Sequence, residues 1–93
     1  MEQNIYVWMT LRSSDGRGGE SARIIFIGSE ESCISFVQEA KWDTLRPEFK
    51  AAYKSAYNLL WRALEPSIIH CTISAGRNGV NRIEKSFTVN LIK

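Results

Sequence analysis

One histidine, two cysteines and two prolines are all that this 93-residue sequence offers of the residues that build metal sites, disulfide frameworks and rigid turns. His70 is the single imidazole, so any Ser-His-Asp or Cys-His catalytic set has to use it. Cys71 follows it directly, and on a strand adjacent side chains point to opposite faces, so these two form no dyad. Cys33 and Cys71 make no C-x-x-C pair, and nothing near either completes a zinc site. The carboxylates offer no calcium-loop spacing, and no two of Glu39, Asp43, Glu48, Glu65 and Glu84 stand out as an acid–base pair. No catalytic residue, metal ligand or cofactor motif is assigned.

Long hydrophobic runs are also missing. None approaches the roughly 18 apolar residues that cross a bilayer, so no membrane association is expected. The opening Met1-Glu2-Gln3-Asn4 lacks the basic and apolar stretches of a secretory signal. A cytoplasmic protein with reduced thiols is the expectation.

Charge of one sign is scarce as well, the net being +2. Up to Asp43 there are four basic against seven acidic side chains, and from Thr44 onward eight against three. The C-terminal half is mildly basic, well short of a strongly basic nucleic-acid-binding domain.

What is present is a composition 44% hydrophobic and 24% charged, ordinary for one small globular domain over residues 1–93 with a single core. Apolar and polar residues alternate over Asn4–Ser13, predicting a strand. Ser13 to Gly19 is a loop rich in residues that tolerate positive φ, and a second strand follows over Glu20–Ile27. Gly16-Arg17-Gly18-Gly19 lacks the G-x-x-x-x-G-K-[ST] phosphate-loop pattern and leads into a strand rather than a helix. Ser29 is a good N-cap, and Glu30 and Glu31 suit the positive end of a helix dipole, predicting a helix over Glu30–Lys41 with Cys33, Phe36, Val37 and Ala40 inward. Trp42-Asp43-Thr44 reads as a joint. Pro47 suits the first turn of a second helix running to Leu64, whose core stripe is Phe49, Tyr53, Ala56, Leu60 and Ala63, and Pro66 ends it.

A closing hairpin is predicted from two more alternating runs, Ile69–Ala75 and Ser86–Leu91, around Gly76-Arg77-Asn78-Gly79. A two-residue Asn78-Gly79 loop sets Ile73 opposite Glu84 and mixes the two faces. A three-residue loop, with Gly79 in a bulge, pairs Ile73 with Ile83 and Ile69 with Phe87 and is the expectation.

Together these elements predict an α+β two-layer sandwich in the order ββααββ, an antiparallel four-stranded sheet with two helices on one face. Two groups of residues then suggest contact surfaces. On the first strand, Tyr6, Trp8 and Arg12 face away from the core set Ile5, Val7, Met9 and Leu11, and aromatics beside arginine are the usual anchors of protein interfaces. On the second helix, Arg46, Lys50, Lys54, Tyr57 and Trp61 share an arc at 100° per residue, a basic and aromatic stripe suited to phosphates and bases. The expected function is a non-catalytic protein-binding module, a small inhibitor or regulatory protein that also self-associates as a homodimer. Its size suits a phage or mobile-element anti-defence factor such as an anti-CRISPR protein, a setting to which no motif points. The alternative is a nucleic-acid-binding regulatory protein using the helix stripe.

Overall fold

The computed structural model describes residues 5–77 and 80–91. Their order is β1 (Ile5–Ser13), β2 (Glu20–Gly28), α1 (Glu30–Glu39), α2 (Trp42–Ala56), a π-helical turn over Tyr57–Trp61, β3 (Ile68–Arg77) and β4 (Val80–Asn90). The strands form one antiparallel sheet in the spatial order β2-β1-β3-β4. The ββααββ sandwich expected from the sequence is the fold.

Alternation decides the faces of the two central strands. Ile5, Val7, Met9 and Leu11 of β1 and Ile69, Cys71, Ile73 and Ala75 of β3 are buried against Cys33 and Val37 of α1 and Leu45, Phe49, Ala52 and Ala56 of α2. Both helices therefore lie on one side of the sheet. Each fully buried valine, leucine, isoleucine or methionine there contributes about 1.5–3 kcal/mol of transfer free energy.

α1 begins as expected, with the Ser29 side chain accepting a bond from the Ser32 N–H. It ends at Glu39 rather than Lys41, because Ala40 is extended at ψ 131. Its last turn carries no basic residue. The cation comes instead from β4: Lys85 Nζ donates to the carbonyls of Ala40 at 2.8 Å and Gln38 at 3.3 Å. A charged donor thus meets the negative end of the helix from the neighbouring layer.

α2 starts five residues before Pro47, at Trp42, instead of at a joint there. Trp42 packs edge-on to Phe49, with ring centroids 5.1 Å apart, and lies 5.7 Å from Phe87. That aromatic contact holds the first turn in helical form. Pro47 removes one backbone bond, to the carbonyl of the exposed Asp43.

Beyond Ala56 the helix changes pitch. The π-turn closes i to i+5, so Trp61 takes the place above Ala56 that Leu60 holds in a regular helix. Trp61 is fully buried, while Leu60 is 41% exposed. Its ring lies 6.0 Å from that of Tyr53. The backbone then stops at Glu65, whose φ of 44 is left-handed, followed by Pro66. Gly18 in the β1–β2 loop, at φ +79, packs on the indole so closely that an added Cβ would stand 2.6 Å from Trp61 Cδ1.

The closing hairpin resolves its phase in another way than expected. Ile73 pairs with Lys85, Ala75 with Ile83 and Ile69 with Val89, not Ile73 with Ile83 or Ile69 with Phe87. Arg77 pairs with Val80, which leaves two positions between the strands; Asn78 and Gly79 themselves, and the expected Gly79 bulge, lie outside the described residues. The faces are matched by a register shift between Ala75 and Gly76 that leaves Arg82 as the extra residue of β4. Arg82 pairs with Glu30 at 2.9 Å, at the N-terminus of α1.

Candidate functional site

Among the described residues nothing covers the side of the sheet opposite the helices. Four registered rows cross it in the order β2-β1-β3-β4. Ile27, Tyr6, Gly76 and Asn81 form the first row, and Ile24, Trp8, Ser74 and Glu84 the second. Ala22, Thr10, Thr72 and Ser86 form the third, and Glu20, Arg12, His70 and Thr88 the fourth. The first two rows hold an apolar cluster on β1 and β2, and the last two are polar.

Tyr6 and Trp8 are each 37% exposed and meet edge to face at 6.4 Å. Ile24 and Ile27 extend them onto β2 at 39% and 56% exposure. The sequence pattern does not single out these isoleucines, since residues three apart on a regular strand face opposite ways. A register shift between Val7 and Trp8 leaves Ile25 unpaired and turns Ile24 and Ile27 to the same face. Phe26 is sent to the helix side, where it stacks on Phe36 at 4.8 Å.

Beside the Tyr6–Trp8 ridge runs a furrow over β3, where Ser74 and Gly76 are the cross-strand partners. The hollow has a volume of about 530 Å³, with Arg77 and Asn81 at its rim. It continues into a smaller polar basin of about 360 Å³ around His70, Thr72 and Glu84. Thr72 Oγ1 and Ser86 Oγ are hydrogen-bonded at 3.1 Å, and Arg12 lies 4.0 Å from Glu20. Both signs of charge are present, so the face creates no strong field.

The stripe expected along the second helix is not one surface. Arg46, Lys50 and Lys54 are exposed, with Arg46 held 3.4 Å from Asp43. Tyr57 is half-buried and tilted onto Tyr53 at 5.8 Å, and Trp61 is a core residue. The π-turn accounts for this: it rotates Trp61 inward and leaves three cations with no exposed aromatic ring to stack on a base.

The chemically reactive side chains are kept apart. Cys33 and Cys71 are free thiols in the core, while His70 is on the uncovered face, across the sheet. Burial pushes the Cys71 thiol up to about 11 and raises that of Cys33, against a weaker lowering effect from a backbone hydrogen bond of Gly28. Thiols so placed are poor nucleophiles at neutral pH. Among the described residues no group of three or more His, Cys, Asp or Glu could hold a metal ion, and no helix is long and apolar enough to cross a membrane.

Comparison with family models, with curated proteins and with solved structures finds no match.

Proposed function

We propose that this chain is a non-catalytic protein-binding module, a small inhibitor or regulatory protein that engages a protein partner through the uncovered face of its sheet. The observation that carries this reading is the exposed cluster Tyr6, Trp8, Ile24 and Ile27 beside a polar, charge-mixed half. Large aromatics ringed by hydrogen-bonding groups are what energetically dominant interface positions consist of. Two free buried thiols suit a reducing compartment such as the cytoplasm.

A nucleic-acid partner is the weaker reading. The cations of α2 lack their aromatic companions, and Glu20 and Glu84 lie on the sheet face where phosphates would approach.

The test is the double variant Tyr6→Ala/Trp8→Ala. Both side chains are outside the core, so its circular dichroism should match the parent, with a stability loss of about 1–2 kcal/mol. Its binding to protein partners recovered with the parent chain should drop at least tenfold, which is about 1.4 kcal/mol. Unchanged partner binding would mean that the face is not the contact surface. Salt-sensitive binding of the parent to labelled oligonucleotides would favour the nucleic-acid reading instead.

A further inference from the structure

The uncovered face carries a ridge and a furrow side by side. Its ridge, Tyr6 and Trp8 on β1, stands directly beside its furrow, Ser74 and Gly76 on β3, row for row. We infer that a second copy of this chain packs on this face about a two-fold axis running parallel to the strands between β1 and β3. Such a rotation keeps each row at its height along the strands and exchanges the strands across the sheet. It lays β1 of each copy over β3 of the other, so each aromatic ridge enters the partner's furrow. Face-to-face sheets pack in this near-aligned way. The contact is isologous, as two-fold symmetry requires.

The chemistry of the rows agrees with this arrangement. Opposite the rings stand a hydroxyl and a bare backbone, so no charge is buried beneath them. Glu84 comes over Ile24 at the outer edge of the sheet, where its carboxylate stays in water. In the polar half, Arg12 keeps its own neighbour Glu20 at 4.0 Å.

Area sets the strength. Nine residues of β1 at a rise of about 3.3 Å, and four strands about 4.8 Å apart, give a face of about 30 by 19 Å. Two such faces cover at most about 1,100 Å², and less where the edge strands stay in water, below the roughly 1,200 Å² at which stable interfaces begin. The dimer is therefore transient, and it hides the surface assigned above to a protein partner. Self-association regulates that surface: dimer and partner complex exclude one another. This inference rests on the reading of the face as a protein-binding surface.

Sedimentation velocity on the intact chain from about 5 to about 500 µM tests it. The weight-average mass should climb from 10.6 kDa toward twice that value as concentration rises. Trp8→Ala, which removes the ridge, and Ser74→Arg, which fills the furrow, should each hold the mass at the monomer value across the range. Neither change touches the core, and circular dichroism verifies that both variants are folded. A parent chain that stays monomeric throughout overturns the inference, as does dimerisation that survives Ser74→Arg. A monomeric parent that loses a protein partner on Tyr6→Ala/Trp8→Ala fails as a dimer while its binding function stands.

Discussion

At the residue scale, the β1–β2 loop shows how few side chains hold a turn. Asp15 Oδ1 accepts from the Ser13 hydroxyl at 2.9 Å and from the Arg17 N–H at 3.0 Å, and Oδ2 accepts from Arg17 Nε at 2.9 Å. Those bonds, the backbone one foremost, hold the carboxyl at about 2, below the ordinary 3.8. A carboxyl depressed on folding stabilises the native state above its unfolded value, and that contribution fades as pH falls through the folded one. Carbon-detected NMR titration should give Asp15 a midpoint near 2, with the loop's contribution to stability lost between about pH 4 and 2. Asp15→Asn should remove that part of the acid dependence. A midpoint at the ordinary value would mean that the turn is not formed in solution. The Asp15-Gly16 loop signal is plain in the sequence; the role of Gly18, which gives Trp61 its seat, is a tertiary matter that no local pattern records.

At the element scale, what was legible and what was not divide along one line. The faces of β1 and β3, the Ser29 cap and the helix-rich centre follow from strict periodicity and local chemistry, and all appear in the fold. The departures are three slips of a single residue: the bulge at Ile25, the bulge at Arg82 and the π-turn before Trp61. Each shifts the phase of everything beyond it, and each is held by contacts distant in the chain. Phe26 needs Phe36 from α1, Arg82 needs Glu30, and Trp61 needs Tyr53 and Gly18. Periodicity extrapolated through such slips puts Trp61 on the surface and hides Ile24 and Ile27 from the candidate face. Chemical denaturation should show the difference. Trp61→Ala should cost about 3–5 kcal/mol, as for other buried aromatics, against the much smaller loss for the Tyr6 and Trp8 pair. Gly18→Ala should destabilise more than Gly19→Ala, because both have left-handed φ but only Gly18 abuts the indole. A surface-like loss for Trp61→Ala would mean that the helix continues with regular pitch.

At the scale of the whole molecule, the protein is one-sided. All of its helical cover, and the buried part of its sheet, serve a single core, and the opposite face is left with its largest exposed aromatics in one cluster. Alternate residues of β1 face the core and the open side in turn, so the proposed contact surface and the core share the same strands. We propose that the protein meets its partner on this surface. The most direct measurement installs a photo-cross-linking amino acid at Thr10, beside Trp8 on the uncovered face, and separately at Lys50 on the outer surface of α2, and irradiates cells producing each. Discrete protein adducts are expected from position 10 and few from position 50. Adducts concentrated at position 50, or nucleic acid captured in place of protein, would contradict it.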